Sequence, residues 1–90
     1  MSGLAEKIKA GATIVDVRTK EEFEEENYPN ALNIPVDQIE ARLAEFGEKT
    51  NPIVVYCASG ARSAYAARVL KTFGYSDVVN AGGLYDMPEL

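Results

Sequence analysis

The 90-residue sequence contains no histidine, no tryptophan and a single cysteine, Cys57. The missing histidine removes Ser-His and Cys-His nucleophilic mechanisms, together with the usual general base near neutral pH. One thiol without imidazole leaves no zinc site. One thiol also cannot close an internal disulfide, so the expected setting is a reducing compartment, cytoplasmic by default. No apolar run approaches membrane-spanning length, and the N-terminal "MSGLAEKIKAGATIV" lacks the apolar core of a signal peptide. Cationic residues are the minority, nine Lys and Arg against fourteen Asp and Glu, for a net charge of −5. That balance argues against nucleic acid or an anionic membrane as partner. A local anion site stays open, because Arg62, Arg68 and Lys71 follow Cys57 closely.

What is present describes an ordinary globular chain. With 47% hydrophobic and 26% charged residues, disorder is excluded. Ninety residues bury one core without staples, so a single domain over 1–90 is expected. Short apolar runs alternate with helical stretches. "LAEKIKA" carries Leu4 and Ile8 at i, i+4 and stops at Gly11. "ATIVDV" is a β-branched strand. "TKEEFEEEN" has Thr19 and Glu22 in a capping-box spacing, predicting a short acidic helix ended by Pro29. "ALNIP" reads as a short strand. In "VDQIEARLAEF", Val36, Ile39, Leu43 and Phe46 predict an amphipathic helix. "NPIVVYC" is the second strong strand. The helix "SAYAARVLKTF" is predicted to bury Ala66, Val69, Leu70 and Phe73 before Gly74 stops it, and "DVVNA" is a third apolar strand. This alternation implies an α/β fold of three layers, a mostly parallel central sheet with helices on both faces. In such folds ligands bind outside the carboxyl ends of the strands, where Cys57 falls.

The loop after Cys57 consists of Ala58, Ser59, Gly60 and Ala61, all small, and runs straight into a helix. Small side chains let backbone N–H groups turn inward as an anion cradle, and the helix N-terminus adds its partial positive charge. Donors aimed at the sulfur stabilise thiolate over thiol, so the loop's field can stand in for the missing base. Cys57 is therefore the candidate nucleophile. Arg62 is the candidate oxyanion fork, since a cation in a first helical turn is unfavourable unless an anion lies nearby. Ser63 reads first as a helix cap, Ser59 as a turn residue, and Gly60 as a backbone requirement. Asp16 and Arg18 read as structural, with Arg18 pairing Glu22 at i, i+4. The run Glu21, Glu22, Glu24, Glu25 and Glu26 reads as a solvated helix face.

"DVRTKEEF", "ALNIP", "YCASGARS" and "NAGGL" occur in this order from about Ala12 to Leu84, and together they resemble a single-domain rhodanese, a thiosulfate sulfurtransferase-like protein. The resemblance implies the rhodanese-like fold and a persulfide shuttle. Cys57 would take a sulfane sulfur from thiosulfate or a similar anionic donor and pass it to cyanide or a thiol, with a protein acceptor also open. Ala58, Ser59, Gly60, Ala61 and Ser63 would ring the sulfur and Arg62 would bind the donor, with no metal or organic cofactor. Two segments depart from the family pattern. "ENYPNA", Glu26 to Ala31, stands where "GHIPGA" is common, with Asn30 replacing a glycine in a turn that Asn can still make. Met87 stands where Trp is usual, and with Leu90 the last residue a shorter rim is expected.

Three other readings compete. Cysteine phosphatases and arsenate reductases of this fold have Cys-x5-Arg loops, whereas Cys57 to Arg62 encloses four residues, a tighter ring suited to one sulfur. A nucleotide P-loop would need a longer glycine-rich run ending in Lys. A binding or sulfur-carrier module would keep the fold with little turnover of its own.

Overall fold

The computed structural model describes residues 3–89; Met1, Ser2 and Leu90, the last with the expected end of the rim, lie outside them. Helix α1 (Gly3–Lys9) leads into strand β1 (Thr13–Asp16), then helix α2 (Lys20–Glu25) and the two-residue strand β2 (Leu32–Asn33). Two 3₁₀ segments follow, Val36–Gln38 and Glu40–Phe46, before strand β3 (Ile53–Cys57) and helix α3 (Ala61–Thr72). Strand β4 (Val78–Gly83) and a 3₁₀ turn (Leu84–Asp86) complete the order. The strands line up as β2-β1-β3-β4 and every pairing is parallel. Among the described residues, no helix is long and apolar enough to cross a membrane.

Alternation along β3 divides the core. Ile53, Val55 and Cys57 face one cluster with Val15 and Val17 from the first strand segment, Ala66 and Leu70 from α3, and Ile39 and Phe46 from the 3₁₀ segments. Val54 and Tyr56 face the other, with Ile14, Ile8 of α1, Tyr28 and Met87. The two clusters are the two faces of the sheet, which is the three-layer α/β arrangement. Tyr28 locks the altered "ENYPNA" segment onto the second face: its N–H donates to the Tyr56 hydroxyl at 3.1 Å and its own hydroxyl to the Pro88 carbonyl at 2.6 Å. Asn30 adopts φ +69°, the left-handed turn that asparagine tolerates.

Two expected elements differ. Residues 36–46 form 3₁₀ turns rather than one amphipathic α-helix, interrupted at Arg42 (φ −120°, ψ 28°). The apolar spacing explains this, because Val36/Ile39 and Leu43/Phe46 are i, i+3 pairs, which eclipse in a three-residue turn. The second difference is Phe73, which is 39% exposed. The buried stripe of α3 is Ser63, Ala66, Ala67 and Leu70. Gly74 (φ +98°) reverses the chain and delivers Tyr75 into the core instead, edge-on to Phe46 at 6.3 Å. Helix α2 also ends at Glu25, before Pro29; the Asn27 side chain donates to the Phe23 carbonyl there.

Candidate active site

Cys57 closes β3 and its side chain points under α3, with none of its surface exposed. The chain then turns through exposed Ala58 and Ser59 to Gly60, the residue preceding α3, which adopts φ +100°. A β-carbon is disfavoured at that angle and would also lie 3.4 Å from the Gly82 Cα. This turn aims donors at the sulfur. The Gly60 N–H donates to Cys57 Sγ at 3.0 Å and the Ser63 N–H at 3.4 Å, with the Ser63 hydroxyl 3.3 Å away. Burial pushes the thiol up, but hydrogen bonds from the Ser63 hydroxyl and the Ser63, Gly60 and Ser59 N–H groups outweigh it, leaving Cys57 below its ordinary value. Exposed Ala61 opens α3 and contributes no side-chain hydrogen bond.

Ser63 is not the helix cap; Gly60 holds that place, and Ser63 lies fully buried in the first turn. Its hydroxyl has one proton and several acceptors within reach, the nearest being Asn80 Oδ1 at 2.6 Å. A neutral thiol can donate to Ser63 Oγ or accept from it, whereas a thiolate can only accept. On ionisation the hydroxyl turns to the sulfur, while Asn80 Oδ1 keeps the Gly82 N–H at 3.0 Å. Ser63→Ala should therefore move the midpoint of Cys57 alkylation to higher pH. One hydrogen bond to a charged group stabilises by about 1.5 kcal/mol, roughly a tenfold loss of thiolate, on the acid side of the titration. The more basic sulfur is intrinsically more nucleophilic, so the net rate there falls about threefold. An unchanged pH profile with iodoacetamide would show that the backbone amides alone set the thiol.

Arg62, in the first turn of α3, forms a two-pronged ion pair with Glu22 of α2: Nη1 to Oε1 at 2.8 Å and Nη2 to Oε2 at 3.1 Å. The anion that its position called for is thus supplied by the chain itself. Glu22 is simultaneously the third helical residue of the capping box, with Thr19 N donating to Oε1 at 2.9 Å and Glu22 N donating to Thr19 Oγ1 at 3.2 Å. Hydrogen bonds from Arg62 and Thr19 lower its carboxyl from 4.5 to about 2. Arg62 is raised, first by the Glu22 hydrogen bond, against burial, with the field of Cys57 contributing.

The expected Arg18–Glu22 pair does not form. Arg18 precedes the cap Thr19, so helical i, i+4 spacing does not apply to it. The chain bends at Arg18, whose N–H donates to Asp16 Oδ1 at 2.9 Å and whose guanidinium folds back onto that carboxylate, Nη2 to Oδ2 at 2.7 Å and Nε to Oδ1 at 3.0 Å. The pair is buried beside the Tyr56 ring, on the face of the sheet opposite Cys57. It also reaches the Glu26 carbonyl at 2.6 Å, tying α2's end to the strand. Asp16 and Arg18 thus organise the strand edge and leave the thiol to the other face.

Two residues of the site were not legible in the sequence. Glu22 is 40 positions from Arg62, and its capping-box spacing accounted for it locally. Asn80, within an apolar strand, gave no signal beyond being polar there. Among the described residues, no group of three or more His, Cys, Asp or Glu could hold a metal ion.

A parallel α/β sheet carrying a buried thiol in an amide-lined loop, directly before a helix, defines a class of cysteine anion-cradle domains. A family model described as "Rhodanese-like domain" matches residues 2–86, and the chain belongs to that family. The chain is 38% identical over 74 residues to the thiosulfate sulfurtransferase PspE of Escherichia coli, covering 81% of this chain and 71% of that protein. It is 40% identical over 67 residues to a putative sulfur carrier protein, YrkF of Bacillus subtilis, covering 74% of this chain but only 36% of that protein. A solved structure described as rhodanese with anions from E. coli superposes with a TM-score of 0.81 at 36% identity, covering 89% of this chain and 98% of that one.

Proposed function

We propose that this protein is a sulfurtransferase that carries a sulfane sulfur as a persulfide on Cys57. The observation that supports it most is a buried thiol facing inward N–H groups in a loop with four residues between Cys57 and Arg62. Cys57 thiolate attacks the outer sulfur of thiosulfate; the S–S bond of the donor breaks, its electron pair leaves with sulfite, and Cys57 Sγ gains the sulfur. The terminal sulfur then carries the negative charge, in the reach of the same loop amides of Ser59, Gly60 and Ser63. A thiol or cyanide attacks that sulfur and regenerates the Cys57 thiolate. Ala58 and Ala61 keep the loop narrow, and Arg62, shared with Glu22, orients the anionic donor. The acceptor is a small thiol, cyanide or a protein thiol, and the kinship to a named thiosulfate sulfurtransferase supports thiosulfate as a usable donor. We read residues 1–90 as one rhodanese-like domain, acting in a reducing, cytoplasmic setting where the thiol stays free.

The test is intact mass after incubation with thiosulfate, free of reducing agent. The protein should gain the mass of one sulfur and lose it on adding cyanide, with sulfite appearing in equal amount. Hydrolysis of an aryl phosphate without any sulfur adduct would instead assign the chain to the phosphatases of this fold.

A further inference from the structure

The ion pair between Arg62 and Glu22 has a consequence for which donors the site accepts. The two terminal nitrogens of the Arg62 fork, Nη1 and Nη2, already hold a carboxylate, and the pair is partly open to solvent, with side chains 36% and 34% exposed. The groove beside it, about 480 Å³, is lined by Val36, Asp37, Glu40, Arg62, Tyr65 and Val69. Arg62 is the one cation among those six, against two further acids. Arg18, on the opposite face of the sheet, is committed to Asp16. An arriving anion therefore meets a seat that is occupied and a rim that is acidic.

We propose that Glu22 is a specificity-determining residue, an internal carboxylate that occupies the anion seat on Arg62 and handicaps doubly charged sulfur donors relative to singly charged ones. This rests on the sulfurtransferase reading for its kinetic consequence, though the seat itself exists independently of that chemistry. A donor must displace Glu22 or bind beside its charge, and the repulsion scales with the donor's own charge. Thiosulfate carries two charges and methanethiosulfonate one. In each, Cys57 takes the outer sulfur and the S–S bond breaks, releasing sulfite or methanesulfinate with the electron pair. Charge is conserved in both, and the ratio of variant to wild type for each donor cancels its intrinsic reactivity, leaving what Glu22 does to it.

Glu22→Gln removes the charge while keeping the cap, because glutamine serves equally as the third residue of a capping box. If each unit of donor charge loses about twofold to the carboxylate, the variant should raise kcat/KM about twofold for methanethiosulfonate and about fourfold for thiosulfate. A gain equal for both donors, no gain, or a loss for thiosulfate overturns the proposal. A second measurement does not depend on sulfur transfer. In the Cys57→Ser background, sulfate is titrated against the amide NMR signals of residues 58–63, with and without Glu22→Gln. The Glu22→Gln protein should bind sulfate several-fold more tightly. Equal or weaker binding, or no binding to either, sinks the occupied-seat proposal. Failure of wild type to form any persulfide, with sulfate still binding more tightly to the variant, would overturn the proposed function alone.

Discussion

Cys57→Ser should take up no sulfur from thiosulfate and should release sulfite no faster than buffer. The substitution is close to isosteric, and the Gly60 and Ser63 N–H groups that reach the sulfur can donate to an oxygen in the same place. The fold should therefore persist, with an unfolding midpoint near that of the wild type. What is lost is chemical. Those amides bring a thiol below its ordinary value, but a serine hydroxyl starts so much more basic that the same field leaves it neutral. Nor can oxygen hold a transferable sulfur as a persulfide sulfur does. The expected loss is at least about a thousandfold, as for removal of a covalent nucleophile in other enzymes. Intact mass and sulfite release both read it. A sulfur adduct persisting on the variant would mean that another group carries the sulfur.

Gly83→Ala should destabilise the protein by about 1–3 kcal/mol, the usual cost of forcing an extra methyl into a packed site. The backbone there is ordinary extended chain (φ −99°), so conformational freedom is not the reason for glycine. Contact is. A β-carbon at Gly83 would lie 2.2 Å from the Ala58 carbonyl oxygen and 3.0 Å from its carbon. Both are backbone atoms, so neither can rotate aside. The close approach follows from a bulge: Val55 opposes Asn80, whereas Cys57, two residues on, opposes Gly83, three residues on. Strand β4 thereby brings Gly83 against the first residue of the Cys57 loop. Pushing Ala58 away should displace the following amides from the sulfur, so alkylation of Cys57 should also shift to higher pH. Denaturant midpoints check the first expectation, with Gly3→Ala as control, since a methyl there meets nothing within 4 Å. A Gly83→Ala midpoint equal to the control's would show that the loop yields freely.

These two residues illustrate what was legible beforehand. Cys57 and its small-residue loop could be read directly, because strand, loop and helix are consecutive and their chemistry is local. The capping box of Thr19 and Glu22 was equally readable, for the same reason. Gly83 was visible as part of "NAGG", but its purpose was not, since the carbonyl it accommodates is 25 positions earlier in the chain. The misplaced Phe73 shows a subtler limit. Helical periodicity extends naturally to residue 73, yet the reversal at Gly74 lets Tyr75 fill the core, and only packing decides between the two aromatics.

By itself, then, the order of residues determined the parallel α/β sheet, the position of the thiol at a strand's carboxyl end and the absence of any imidazole to activate it. Each follows from hydrophobic period, turn chemistry or composition, which act over a few neighbouring residues. Tertiary structure alone decided which charges meet. Arg18 turned to Asp16 rather than Glu22, Glu22 to Arg62, and Ser63 inward to Asn80 and the sulfur. Ion pairs and hydrogen bonds need atoms within about 3 Å in the right direction, and that proximity is set by how the layers stack.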